Sequence, residues 1–196
     1  MNVFFKHLII ICILVIALFG CGQSNKNSTE KSNKELTEST ISPKKQEADK
    51  QETVVKENVY LYFSDVNLMS IKKIQKEVTV ESKDDLPKVA IEAWIEGPGP
   101  GYDDLAGVVP PGVVVEYVKD VAGVAHVSFS KEIKNANLGS SGELALIEQL
   151  SMILQQFGFS KTQILIEGSV VETALGHVDT SKPIIAKDPG AYELIK

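Results

Sequence analysis

The sequence contains no arginine, so lysine supplies all 20 of its basic residues. Arginine is the side chain that recognises phosphates and carboxylates through two parallel hydrogen bonds. The 26 acidic residues also leave the chain with a net charge of −6 at pH 7, which opposes binding to a polyanion. Both features argue against a nucleic-acid partner.

Cysteine is almost as scarce. The two cysteines, Cys12 and Cys21, both lie at the extreme N-terminus. The rest of the chain therefore offers no disulfide, no cysteine nucleophile and no thiolate metal site.

Long apolar runs are limited to residues 8–19, which follow the single positive charge of Lys6. This run is too short for a comfortable membrane span and has the length of the apolar region of a signal peptide. It ends at Leu18-Phe19-Gly20-Cys21, which resembles the bacterial lipobox, although Phe19 stands where Ala, Ser or Thr is usual.

The resemblance to a lipobox implies that residues 1–20 are a lipoprotein signal peptide and that Cys21 is lipidated. Two acyl chains suffice for stable attachment, so the expected location is the extracytoplasmic face of the cell membrane. The alternative is an uncleaved anchor helix in which Cys21 is an ordinary thiol.

Residues 21–57 are predicted to be the lipidated cysteine and a flexible polar tether. Seven lysines and seven acidic residues are interspersed after Cys21, and so few apolar residues cannot offset the entropy cost of ordering. As a flexible coil the tether would span about 30–35 Å. A transient helix between Glu30 and Lys50 is the alternative.

Residues 58–196 are long enough for one domain with a single core. Strands are predicted at residues 59–64 and, with weaker alternation, 74–80. A helix is predicted to start at Asp84-Asp85 and to end at Gly97. Its apolar face has helical spacing and comprises Leu86, Val89, Ala90, Ala93 and Trp94. Trp94 is interpreted as a core anchor rather than a ligand-stacking residue.

The second half of this domain has the same predicted order of elements as the first, two strands followed by a helix. Residues 113–118 and 124–129 predict a hairpin, with Asp120 and Gly123 at its turn. Ser140 and Glu143 have the spacing of a capping box and predict the start of a helix that stops at Gly158. Its predicted apolar stripe comprises Leu144, Ile147, Leu150, Ser151, Leu154 and Phe157.

A last strand is predicted at residues 161–166, followed by an irregular segment, residues 175–184, that wraps the domain edge. The element order predicts an α+β fold, in which two helices pack on one face of a mixed, mainly antiparallel sheet.

Four segments resemble the GerMN domain of spore formation and germination lipoproteins. They are AIEAWIEGP at residues 90–98; Pro111-Gly112 before a hairpin that ends at Ser130; residues 139–168, a Ser-x-x-Glu-Leu-Ala helix followed by a strand ending in Glu-Gly; and GHVD at residues 176–179. The resemblance implies a fold similar to ring-building motifs, small domains that assemble membrane-associated complexes. The chain departs from tandem members of the family because it contains one copy.

Candidate catalytic residues are few. Ser128, His126 and Asp120 could be combined into a triad, but they lack the strained nucleophile turn and oxyanion loop that such sites use. His177 and Asp179 could contribute two metal ligands, with no third ligand indicated.

Asp103 and Asp104 follow the GPGPG loop and could bind Ca²⁺ weakly, although EF-hand spacing is absent. A solvated loop tip is the simpler interpretation of this pair. We therefore predict no cofactor, no metal site and no enzymatic activity.

The predicted function is that of a membrane-anchored surface lipoprotein whose GerMN-like domain is a non-catalytic interaction and assembly module. Its partners would be the membrane, through Cys21, and an unidentified envelope protein. The alternative is a lipoprotein that binds a small ligand or the cell wall, with or without weak hydrolase activity. A deep cleft lined by Trp94, Tyr102, His126 or His177 would favour the alternative.

Overall fold

The computed structural model describes residues 54–195. The predicted signal peptide, the lipidation site at Cys21 and nearly all of the predicted tether lie outside these residues. No helix within residues 54–195 is long and apolar enough to cross a membrane.

The first sheet has three antiparallel strands in the order β2-β1-β3. They are β1 (Val55–Asp65), β2 (Ile71–Val80) and the short β3 (Leu105–Ala106). β1 begins four residues before the predicted start at residue 59, because its polar first residues pair with β2 from Val55 onward.

The second sheet contains β4 (Val115–Val121), β5 (Val124–Phe129), β6 (Lys161–Ile166), β7 (Ser169–Val170) and β8 (Ile184–Ile185). β4 and β5 form the predicted antiparallel hairpin, and β5 and β6 are parallel. Both short strands, β7 and β8, pair antiparallel with the outer edge of β6.

The first helix, α1 (Leu86–Ile95), buries Ala90, Ile91, Ala93 and Trp94. Asp85 occupies the N-cap position but makes no side-chain capping bond, whereas Ser82 caps the 3₁₀ turn Lys83–Asp85 that leads into the helix. Leu86 and Val89, at the start of the predicted stripe, are only half-buried.

The second helix, α2 (Ser140–Gln155), is buried over most of its circumference rather than along one stripe. Leu144, which was predicted to face the core, is 46% exposed. The reason is that α2 is central to the fold: it contacts β1 of the first sheet as well as β6 and β8 of the second.

The α+β class is confirmed, with two helices against mixed, mostly antiparallel strands. The strands are divided between two sheets, whereas one sheet was predicted. The two-residue strand β3 is an edge of the first sheet, and β4 is an edge of the second sheet. These two edge strands do not pair with each other. The helices join the two sheets, since α1 contacts both β1 and β4.

The chain after β8 crosses from the second sheet back to the first. We call residues 187–195 the C-terminal strap. Its end lies parallel to β2, where Leu194 is paired with Lys73. The Lys73 N–H donates to Glu193 O and the Ile195 N–H donates to Lys73 O, both at 2.9 Å.

Candidate functional site

β1 carries the chain from Val55 to a turn at residues 65–70 at the opposite end of the strand. Eleven antiparallel residues span about 34 Å. Asp65 holds the turn: its Oδ1 accepts the N–H groups of Asn67 and Met69, and its Oδ2 accepts the Ser70 hydroxyl at 2.5 Å. The Ser70 bond and these amides lower the pKa of Asp65, so the turn is fixed by an ionised carboxylate.

A groove of about 480 Å³ opens beside this turn. Three remote segments form it: the end of β1 with the turn, the first half of α2, and the C-terminal strap. Its lining residues are Ser64, Leu68, Met69, Ser70, Ile71, Ser141, Leu144, Ala145, Glu148, Lys187, Ala191 and Tyr192.

The rim of the groove exposes apolar side chains near the end of β1 opposite Val55. Met69 is 84% exposed and Leu144 is 46% exposed. Contiguous exposed apolar surface is typical of protein-interaction sites, and these two side chains line the same groove.

One ion pair crosses the groove wall, from Lys187 Nζ on the strap to Glu148 Oε1 on α2 at 2.5 Å. The hydrogen bond to Glu148 raises the pKa of Lys187. The pair joins the strap to the helix.

Two tyrosines support the strap. The rings of Tyr62 and Tyr192 meet edge to face with centroids 5.9 Å apart. Burial raises the pKa of Tyr62 to about 12 and also raises the pKa of Tyr192. Both phenols are therefore neutral at physiological pH and act as packing groups.

Trp94 is a core residue, as predicted, and it does not line the groove. Its indole Nε1–H donates to Gln149 Oε1 at 3.0 Å, and Gln149 Nε2 donates to Ser64 Oγ at 2.8 Å. All three residues are at most 1% exposed. This buried chain of hydrogen bonds ties α1, α2 and β1 together.

Glu143 does not form the predicted capping box. Gly139 is the N-cap of α2, and the fully buried Glu143 carboxylate points to a later segment of the chain. Its Oε1 accepts the Leu175 N–H at 2.7 Å, and its Oε2 accepts the N–H groups of His177 and Val178 at 2.8 and 3.2 Å. A carboxylate held by three amides satisfies an irregular loop that has no ladder partner.

The imagined triad is not assembled. The Ser128 hydroxyl donates to Glu116 Oε2 at 2.6 Å and accepts the Gly168 N–H, and the residue is fully buried. Asp120 accepts the Gly123 N–H within the hairpin turn. These bonds are structural, and none of them involves His126.

Of the remaining candidates, the Asp179 side chain takes part in local structure. Asp179 accepts the backbone N–H and hydroxyl of Ser181, and these bonds lower the pKa of Asp179. Asp104 lies in an exposed loop and its carbonyl accepts the Val66 N–H. Among residues 54–195 no three His, Cys, Asp or Glu side chains are grouped so that they could hold a metal ion.

Sequence patterns did not indicate the groove. Its three segments are separated by about seventy and forty residues, and each is unremarkable in isolation. The one local signal is the turn at residues 65–70 itself, because three of its residues, Val66, Leu68 and Met69, are apolar whereas turn residues are usually polar or small. The spacing of Glu143 from Ser140 predicts a helix cap, and it gives no indication of the distant loop that Glu143 binds.

A protein family described as "Germane: Sporulation and spore germination" matches residues 60–172, more than half of the chain. The sequence matches no curated protein.

Two solved structures share the fold. The first GerMN domain of the sporulation protein GerM from Bacillus subtilis is 20% identical, with a TM-score of 0.52; the match covers 67% of this chain and 98% of that one. The tandem GerMN domains of the same protein are 19% identical, with a TM-score of 0.55, over 67% of this chain and 46% of that one. At this identity the likeness establishes the GerMN-type fold, in a single copy over the matched length.

Proposed function

The chain belongs to the Germane family of sporulation and spore germination, and from this premise we propose that it is a lipid-anchored envelope protein whose GerMN domain docks onto another envelope protein without catalysis. The groove between the β1–β2 turn, α2 and the strap is the docking site. The observation that carries the proposal is the exposure of Met69 and Leu144 at the rim of this groove.

The position of the groove supports this function. The chain enters the domain at Val55, and β1 separates that point from the turn at residues 65–70 by about 34 Å. If Cys21 carries the lipid, the anchored segment joins the domain at the end of β1 opposite the groove. Anchoring raises the effective concentration for membrane-bound partners, so a small interface suffices.

The arrangement of polar side chains supports a non-catalytic role. Ser128, Asp120 and Glu143 are each committed to structural hydrogen bonds. The charges of the groove wall, Glu148 and Lys187, neutralise one another.

In-cell photocrosslinking tests the docking site. A photoreactive residue in place of Met69 should give a defined protein adduct in membranes, whereas the same residue at Val121, on β4, should give none. Val121 is a fair control because it is apolar and 47% exposed. Equal labelling at the two positions would count against the groove.

The anchor has its own test. Mass spectrometry of the mature N-terminus should find Cys21 modified with acyl chains, and Cys21→Ala should leave an unprocessed precursor. An unmodified Cys21 would refute the anchor while leaving the docking site to be judged by photocrosslinking.

The groove volume supports one further candidate, the binding of a small ligand or cell-wall fragment, because ligand sites commonly occupy about 300–1,000 Å³. Calorimetric titration of the full chain with soluble peptidoglycan fragments distinguishes the two functions. Saturable binding of the fragments that Leu144→Gln abolishes would favour the ligand-binding function. No saturable binding would favour protein docking.

A further inference from the structure

The C-terminal strap lies along the surface of the domain. None of the described residues from 181 to 195 is fully buried, and only Tyr192 and Ile195 of the strap are partly buried hydrophobic residues packed against the core. The preceding segment differs, because Ala174 and Thr180 are buried and Glu143 binds the loop between them. Segments with few buried apolar contacts open at low free-energy cost while the rest of the domain stays folded.

Three kinds of contact hold the strap: ion pairs, the packing of two tyrosine rings, and hydrogen bonds to β2. Lys187 pairs with Glu148, and Glu193 pairs with Lys72 at 2.7 Å. Tyr192 packs edge to face against Tyr62.

The third kind is the hydrogen bonding of the strap backbone to the backbone and side chain of Lys73 in β2. Glu193 and Ile195 bond to the β2 edge at Lys73, and Lys73 Nζ donates to Pro189 O at 3.1 Å. The surface below the strap is thus a ready-made site for an extended segment with a tyrosine, an acidic residue and an apolar residue in succession.

We propose that this site exchanges occupants, and that its second occupant is the strap of another copy of the chain. Exchange would restore the contacts of Pro189, Tyr192, Glu193 and Ile195, now between two molecules. Swapping an identical element is a low-cost route to a dimer. The pivot would lie at residues 187–188, directly after β8 pairs with β6 and the Ala186 N–H donates to Ser160 O. The proposal requires neither the lipid anchor nor the docking groove.

Chemical crosslinking of mixed full-length chains tests the exchange. Both native cysteines are replaced by serine, and one chain carries Lys73→Cys while the other carries Leu194→Cys. Since Lys73 and Leu194 face each other across the bridge, a short thiol crosslinker should join the two chains into a heterodimer. The double variant, Lys73→Cys with Leu194→Cys, should crosslink within one chain at high dilution.

The matched control mixes Lys73→Cys chains with Val121→Cys chains, since Val121 is 47% exposed and Leu194 is 38% exposed. A several-fold excess of heterodimer over this control is expected. A yield equal to that of the control would overturn the proposal, and so would a double variant that fails to crosslink internally.

Charge reversal provides a second measurement that does not depend on cysteine. Lys72→Glu and Glu193→Lys each place like charges together in a closed strap. Mixing the two variants should give heterodimers by native mass spectrometry in several-fold excess over either variant alone, because exchange pairs opposite charges. Monomers in the mixture at the same fraction as in the separate samples would contradict strap exchange.

Discussion

The loop at residues 174–180 and the strap at residues 187–195 are neighbours in the chain, yet they are attached in different ways. A glutamate anchors each of them. Glu143 is fully buried and accepts three backbone N–H groups, whereas Glu193 lies at the surface and pairs with Lys72. Buried charges that lose their partners are costly, but exposed ion pairs contribute little because water and salt replace them. The comparison teaches that burial of the carboxylate, rather than its charge, decides which segment is fixed.

The largest effect should come from the core that both segments surround. Trp94→Ala should lower the free energy of unfolding by about 3–5 kcal/mol, because it opens a cavity and removes the donor to Gln149. Chemical denaturation monitored by far-UV circular dichroism measures this loss. A loss no greater than that of a surface substitution would mean that α1 does not bury its tryptophan.

Glu143→Ala tests the buried anchor directly. It should cost about 2–4 kcal/mol, because three amides lose their acceptor in a dry environment. Hydrogen exchange of the Leu175, His177 and Val178 amides should accelerate more than that of β5. Glu143→Gln is the control of equal size; it keeps one acceptor oxygen and should retain part of the protection. If the alanine variant were as stable as the wild type, the contrast between the two attachments would fail.

Alkaline pH tests the contact between the body and the strap. The pKa of Tyr62 is raised to about 12 from an ordinary value near 10, so the folded state holds this proton when the unfolded state releases it. The contribution of Tyr62 to the free energy of unfolding should therefore be fully present below pH 10 and should be lost as the pH rises from 10 to about 12. Tyr62→Phe should flatten this part of the pH dependence of the denaturation midpoint. An unchanged slope in the variant would assign the loss to other groups.

The smallest effect is expected at the exposed anchor. Lys72→Ala and Glu193→Ala should leave the melting temperature of the domain unchanged within error, with or without added salt, because the strap can open without unfolding the body. Reference substitutions at His126 and Asp104 to alanine should also change the free energy of unfolding by no more than about 0.5 kcal/mol. A large drop for Lys72→Ala alone would show that the strap folds cooperatively with the core.

Much of the local structure could be predicted from sequence because its signals are local. The strand at residues 161–166 coincides with β6, and the Asp120 to Gly123 turn closes the β4–β5 hairpin. Gly123 takes a φ of 80°, which a hairpin turn of this kind favours. Each of these features depends on neighbouring residues.

The features that sequence analysis missed depend on distant residues. The Ser140 to Glu143 spacing has a local interpretation as a cap, but the partners of Glu143 lie more than thirty residues later. Strand periodicity also gives no information about which strands pair, so one sheet was predicted where there are two. The groove is a third case, since it exists only after the β1–β2 turn, α2 and the strap have come together.

The amide of Gln149 has a further consequence for how this sequence selects a single arrangement of its helices. An apolar helix in an apolar bed can slide by one turn, about 5.4 Å, and still find similar neighbours. Here such a shift would separate the amide from both Trp94 and Ser64 and leave three polar groups stranded without water. The Gln149 side chain therefore fixes the position of α2 along its neighbours. Mispacked forms of α2 are unfavourable because they leave these buried polar groups without hydrogen bonds, and not because the native apolar contacts are better.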